Sequence, residues 1–486
     1  MTAPRRATHP VAALVVIVLV PALLLFALWR WSAGQAADAD PAPPDPPAAP
    51  PAPSDALVTP LLSFRRAPGV LSRQLNLAPF QGAVTDFAAQ LNDTSCLAVS
   101  VDGIPVGGIN ATKSLIPASN QKILVAAVAL AVLGADYRFT TRVVATAPTN
   151  GVIAGDLYVV GGGDPLLTSS TYPTENDLNP VTSPTSLDRL AEAVVDAGVR
   201  RIEGAVVGDA SRYDDELYAP SWPDDVRGIE GGPYEALLVN DARVTGDDLR
   251  ADEPAEAAAR ELTSLLEARG VEVADGAESG TAPDGLNELA AVRSRKLPLV
   301  VGEMLATSDN NTAEMLVKEL GVPSGAGTRR AGLDVMEATL EDWGVPSDGL
   351  VLADGSGLSS ENRVSCQALL EVLAQSAPDS PLGAGLAVAG VSGTLSEVFV
   401  GSDVEGRLRA KTGTLGNAPF NADPPAVKAL SGYLPVDGGG TVEFSLLLNG
   451  SGPLIDQSVY RPIWDALATT LATYPAGPSA ADLGPR

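Results

Sequence analysis

Histidine is almost missing from this chain. Its one histidine, His9, precedes the first hydrophobic run, so the body has none from which to build a Ser-His-Asp triad, a Cys-His pair or a His-bearing zinc site. Lysine is scarce: Lys113, Lys122, Lys296, Lys318, Lys411 and Lys428 are the full set. Two cysteines, Cys96 and Cys366, are too few for a disulfide scaffold, and their spacing fits no metal motif. In an oxidising compartment they would permit one bridge; as separate buried thiols they would act as small apolar side chains. Aromatics make up only 5% of residues, so a core must rest on Ala, Val and Leu. Positive charge is also short. Lys+Arg is 32 against Asp+Glu 59, a net −27, which lacks the basic stripe a nucleic-acid partner requires.

What is present begins with an uncharged run, Val11 to Trp29, flanked by Arg5, Arg6 and Arg30. At ~1.5 Å per residue such a helix reaches roughly 28 Å, about the thickness of a bilayer's hydrocarbon. A cleavable signal usually has a shorter apolar region, although Ser32-Ala33-Gly34 offers a small-residue cleavage site. The leading arginines predict a cytoplasmic N-terminus. The expectation is a single-pass membrane protein with its body outside the cytoplasm, or a secreted one if the segment is cleaved. Asp38 to Ala56 (DADPAPPDPPAAPPAPSDA) reads as an extended spacer.

With 486 residues the chain has room for two or three domains of roughly 150 residues. From about Asn76 it reads as globular. A helix is expected over Pro79–Leu91, then a hairpin of Leu97–Val101 and Pro105–Ile109 around Asp102-Gly103. The run Ile123 to Leu133 (ILVAAVALAVL) predicts a helix buried on all sides. Residues 139 to 250, rich in short β runs and turns, suggest an inserted module. Helical patterns follow at Pro254–Arg269, Leu297–Thr307, Thr312–Leu320 and Arg329–Trp343. Strand-like runs come at Arg407–Thr414, Val427–Leu434 and Val442–Leu448, before a helix at Ile463–Ala472. The pattern predicts an α/β (α+β) fold whose sheet is assembled from distant segments.

Ser119-Asn120-Gln121-Lys122 sets a hydroxyl and an amine three residues apart at the start of the buried helix, where i and i+3 share a face. The helix start also supplies unpaired N–H groups that suit a developing oxyanion. In Lys411-Thr412-Gly413-Thr414, a lysine and hydroxyls beside a glycine suit docking of a carboxylate on a strand edge. A charge at Lys411 is also expected to depress the pKa of Lys122. Ser308-Asp309-Asn310 lies between two helices and can project a hydroxyl and an amide into a cleft. Ser360-Glu361-Asn362 has the same S-x-N form, but follows a glycine-rich loop, Asp354-Gly355-Ser356-Gly357-Leu358.

S-x-x-K, S-D-N and K-T-G in that order resemble the penicillin-recognising serine enzymes. Further stretches resemble the D-Ala-D-Ala carboxypeptidase/endopeptidases of the penicillin-binding protein 4 type, peptidase family S13. They are Tyr158-Val-Val-Gly-Gly-Gly-Asp-Pro-Leu-Leu167, Gly208-Asp-Ala-Ser211, Asn362-Arg-Val-Ser365, Ser392-Gly-Thr394 and Leu430-Ser-Gly-Tyr433. The resemblance covers roughly residues 76 to 475. It implies a penicillin-binding transpeptidase/β-lactamase-like domain interrupted by an insertion, with no metal or organic cofactor. It also implies peptidoglycan peptides ending in D-Ala-D-Ala as substrate and β-lactams as covalent inhibitors. Ser119, Lys122, Ser308 and Asn310 would be catalytic; Lys411, Thr412, Gly413 and Thr414 would bind substrate. The expected order is a cytoplasmic tail (1–10), an anchor or signal segment (11–29) and a Pro/Ala-rich linker (30–75). The catalytic domain follows in two parts (76–138 and 251–475) around an inserted domain (139–250), with a flexible tail (476–486). Gly416 to Pro425 lengthens the family's hairpin and is expected at the cleft rim. The chain is short between Asn240 and Pro254, so a second nested insertion is expected to be missing.

Overall fold

The computed structural model describes Leu25, Leu28 and residues 67–486, except 171, 173–180, 244–249, 417–425, 437–439, 480 and 484–486. The chain divides between Ala67 and Pro68, and the second unit is the subject below. The expected membrane run apart from Leu25 and Leu28, the proline-rich spacer and the 417–425 part of the rim loop lie outside the described residues. Among the described residues no helix is long and apolar enough to cross a membrane.

Helix α1 (Ala67–Ala88) begins inside the stretch expected to be linker and carries Pro79 within it. Its later turns bury Phe80, Val84 and Phe87 in one apolar cluster with strand residues such as Leu97, Leu446 and Leu448. The expected tail is also tied down at its start. Ser72 Oγ donates to the Pro478 carbonyl at 2.7 Å, and Asn76 accepts from the Gly477 N–H. Both boundaries, 75 and 476, are therefore corrected: composition marked the segments as spacer and tail, but a helix runs through the first and its polar residues bond to the start of the second.

Strands β1 (Ser95–Val101) and β2 (Ile104–Ile109) form the expected hairpin, with Asp102 and Gly103 both at positive φ, as a tight two-residue turn requires. All of β1 is buried. Its alternate residues serve two cores: Cys96 and Ala98 face one, Leu97, Val99 and Val101 the other. Helix α2 (Gln121–Val132) is buried around its circumference from Gln121 to Ala129, matching its unbroken apolar sequence.

The inserted module follows. Its sheet uses β3 (Thr140–Ala145), β4 (Leu157–Val160), β5 (Val206–Asp209), β6 (Ala277–Ser279) and β7 (Asn287–Arg293), in the order β6-β5-β4-β3-β7. Helices α3 (Leu187–Asp196) and α4 (Pro254–Glu267) share its core. The sequence boundary at 250 is thus too early: β7 pairs antiparallel with β3, so the module closes at Arg293. Helix α4 carries no sequence mark of which sheet it covers, which is why its assignment was missed.

The chain then returns through α5 (Leu297–Thr307), α6 (Asn310–Gly321), α7 (Arg329–Asp342) and α8 (Cys366–Ala374). It completes the main sheet with β8 (Ala387–Val388), β9 (Arg409–Leu415), β10 (Ala426–Pro435) and β11 (Thr441–Gly450), before α9 (Gln457–Ala472). The order is β8-β9-β10-β11-β1-β2, with every neighbour antiparallel. Helices α1 and α9 cover one face; α2 and α5 to α8 build the core on the other. Cys96 of β1 and Cys366 of α8 are joined as a disulfide, both fully buried.

Candidate active site

Ser119 sits in a single 3₁₀ turn, Ala118–Asn120, that leads into α2. Ala118 is held at φ 48°, a conformation that costs a non-glycine residue energy and persists only where the surroundings enforce it. They do so from several sides. Asn449 of β11 accepts from the Ile116 N–H and donates to the Ile116 carbonyl, each at 3.0 Å. Asn120 donates to Ser431 Oγ of β10 at 2.7 Å. Gly357 packs so closely that a Cβ there would lie 1.9 Å from the Ala118 carbonyl oxygen.

Lys122 points back along the first turn of the helix. Its Nζ lies 3.1 Å from Ser119 Oγ, 2.7 Å from Asn310 Oδ1 and 2.6 Å from the Ser356 carbonyl. The side chain is fully buried, and burial lowers its pKa to about 8 against the opposing pull of Asp354, Glu314 and Asp309. The sequence reading assigned this lowering to Lys411. Instead, Lys411 is itself held well below its ordinary value, first by burial and then by Lys122.

Asn310 opens α6, and the Asp309 carboxylate caps that helix by accepting from the Thr312 N–H. The Asn310 amide nitrogen donates to the Glu230 carbonyl, leaving its oxygen facing Lys122. Ser308 ends α5 at φ 67° and lines the same cleft. The rival Asn362 is elsewhere. Buried in the glycine-rich loop, it donates to Asp354 Oδ1 at 2.7 Å and accepts from the Ala353 N–H at 2.8 Å.

Strand β9 supplies the opposite wall. Gly413 lets it approach the Ser119 turn: a Cβ there would stand 3.1 Å from the Pro117 oxygen and 3.2 Å from the Ser119 nitrogen. Lys411 is buried, and its Nζ donates to the Thr412 carbonyl. Thr412 and Thr414 face the cleft, where Thr412 shares a 2.9 Å hydroxyl–hydroxyl bond with Thr394. Ser119, Ser308, Asn310, Thr412 and Thr414 together line one cavity of about 520 Å³. The expected residues are thus brought to one place, from three separate segments.

Sequence reading missed the support behind them. Glu314 of α6 is buried and accepts the Gly355 and Ser356 N–H groups, which fixes the carbonyl that Lys122 meets. Burial and the nearby Asp354 raise its pKa to about 7. Asp354 in turn accepts from Trp222 Nε1 and from the Gly357 and Ser359 N–H groups. Glu314 stands four residues after Asn310 in the sequence, one helical turn away, a spacing that offered the only signal.

The model of the D-Ala-D-Ala carboxypeptidase 3 (S13) family matches residues 101–247 and 240–474. A D-alanyl-D-alanine carboxypeptidase of an Actinomadura species is 33% identical over 447 residues, covering 74% of this chain and 78% of that protein. A carboxypeptidase of Mycobacterium tuberculosis is 33% identical over 371 residues, covering 74% and 75%. In fold, the chain is similar to penicillin binding protein 4 from Haemophilus influenzae, with a TM-score of 0.65 at 21% identity over 80% of this chain and 98% of that one. Its fold is therefore the mixed α/β penicillin-binding type, and the chain belongs to the D-Ala-D-Ala carboxypeptidase 3 (S13) family.

Proposed function

We propose that this serine-type D-Ala-D-Ala carboxypeptidase acts on peptidoglycan stem peptides through an acyl-enzyme on Ser119, with Lys122 as general base. The observation that carries the assignment is the 3.1 Å approach of a fully buried Lys122 Nζ to Ser119 Oγ. Neutral Lys122 takes the Ser119 proton, and Oγ attacks the carbonyl carbon of the D-Ala-D-Ala bond. The C–N bond breaks, the departing D-alanine amine takes a proton relayed through Ser308, and the acyl group remains as an ester. Water then adds to the ester carbonyl and releases the shortened peptide and free Ser119. The N–H groups of Ser119 and Thr414 stabilise the oxyanion. Asn310 holds the peptide amide, and Lys411, Thr412 and Thr414 receive the terminal carboxylate on the wall that Gly413 keeps close.

Intact-mass measurement after incubation with benzylpenicillin tests the scheme. A lasting covalent adduct on the native protein, absent in Ser119→Ala, is expected; no adduct on the native protein sinks it. Rapid turnover of the β-lactam without an adduct would instead indicate a β-lactamase. Cleavage of cross-linked peptides is the second part of the proposed activity, and purified muropeptide dimers decide it. The membrane attachment proposed through residues 11–29 rests on that run's length and lack of charge. Recovery of the full-length chain in the soluble fraction, uncleaved, would contradict it.

A further inference from the structure

We propose that Lys428 is a positioning residue for the substrate carboxylate: by donating to Thr414 Oγ1, it fixes that hydroxyl as a donor into the cleft. The inference rests on the assignment of Thr414 to that carboxylate.

Lys428 lies directly opposite Thr414 in the β9–β10 ladder, and its Nζ is 2.8 Å from Thr414 Oγ1. The lysine is only 8% exposed. Its ammonium stands 4.1 Å from the centre of the Tyr460 ring, packed in from α9. Among the described residues it forms no ion pair with a carboxylate. A cation withdrawn from water and given a ring, a hydroxyl and, among the described residues, no counter-charge still has an electrostatic demand to meet. The anion that reaches the far side of that hydroxyl is the substrate's.

The donor inventory gives direction to the contact. An ammonium has hydrogens and no lone pair, whereas a hydroxyl has one hydrogen and accepts at oxygen. While Lys428 is protonated it can only donate, so Thr414 must aim its own hydrogen elsewhere, and its open side is the cleft it lines. At the other end of the motif, the Thr412 hydroxyl is engaged with Thr394. Lys411 turns to a backbone carbonyl and is driven toward its neutral form. Lys428 thus supplies positive charge one hydroxyl away from the anion. The groups facing it are Thr414 from β9 and Tyr460 and Arg461 from α9; burial and then Arg461 hold its pKa at about 8. Above that pH the neutral amine can accept from Thr414 and withdraw the donor from the cleft.

Two acyl thioesters sharing one acyl group serve as probes: a mercaptoacetate ester, whose leaving group carries a carboxylate, and a mercaptoethanol ester, whose leaving group does not. Lys428→Met should raise KM for the first about tenfold with kcat little changed, leave the second unaffected, and be rescued by Lys428→Arg. Equal losses on both esters, a loss confined to kcat, or no loss would overturn the proposal. If Lys428→Met does not fold, the arginine variant decides the matter. Its KM for the mercaptoacetate ester should stay flat between pH 7 and 9 while that of the native enzyme rises; parallel curves overturn the proposal. Thr414→Val separates the two readings, because failure to reduce discrimination between the esters would refute the carboxylate assignment itself rather than the part played by Lys428.

Discussion

A lysine at its ordinary pKa would be almost fully protonated at pH 7, with too little free amine to serve as a base. Lowering Lys122 to about 8 raises the neutral fraction at pH 7 to roughly a tenth, some 300 times that of a side chain at 10.5. Because the neutral form is the active one, acylation by a β-lactam should rise with pH and level off above about 8. A stopped-flow profile that falls through this range would contradict the base assignment. Lys122→Ala removes the base at the first step, so it should suppress acylation by about 10³-fold or more. Ser308→Ala, which touches only the relay to the leaving group, should cost less. At matched folding, equal losses in the two variants would reverse the roles. Which residues gather at the site was largely legible in the sequence, because scarcity gave Lys122 and Lys411 their prominence. The origin of the pKa shift was not legible. It comes from burial and from carboxylates brought in by α6 and the glycine-rich loop, about 190 and 230 residues downstream, and no local spacing announces either.

Among the elements, β9 is where packing and catalysis meet most directly. Gly413→Val places branched atoms where a single Cβ would already lie 3.0 Å from Ala429 and 3.1 Å from the Pro117 carbonyl. The strand must then move off the nucleophile's turn. A shift near 1 Å is enough to cost about 10²-fold in rate, so acylation should fall by that order while circular dichroism stays native. Unchanged acylation would show that the close approach is dispensable. Elements with a strong local signature were readable: α5 has the expected bounds, and β10 and β11 exceed theirs by one or two residues at each end. Elements whose place depends on a distant partner were not. The sequence pattern predicts a helix from Pro79, yet α1 extends a further twelve residues before it, where Leu77 packs on the sheet cluster and Ser72 and Asn76 bond to residues 477 and 478. The end of the insertion was invisible for a related reason: Ala290, the buried residue of β7, finds its core only beside β3.

For the molecule as a whole, the unit boundary at Ala67 predicts that a chain lacking residues 1–56 folds and binds penicillin unaided. Extending the deletion through Ala88 should destabilise it by about 5 kcal/mol or more, since Phe80, Val84 and Phe87 then leave an apolar face open. Urea denaturation of the two truncations side by side measures this, and equal midpoints would show α1 to be an accessory. The disulfide links residues 270 apart in the sequence, joining β1 to α8. On a chain-entropy basis so long a loop contributes about 5 kcal/mol. Cys96→Ala/Cys366→Ala should therefore show a clearly lower midpoint than the oxidised protein. Indistinguishable curves would mean that the two cores hold without the link.

The order of strands in the main sheet has a consequence for synthesis. The hairpin β1–β2 leaves the ribosome early, yet its neighbour β11 arrives some 340 residues later, and β9, which closes the wall opposite Ser119, is almost as late. Such long-range pairing cannot form until β11 itself has been made. A nascent chain stalled before Arg409 would carry its nucleophile and its base, but no strand on which to lay a substrate. A chain interrupted before that strand is therefore expected to leave Ser119 without its opposite wall.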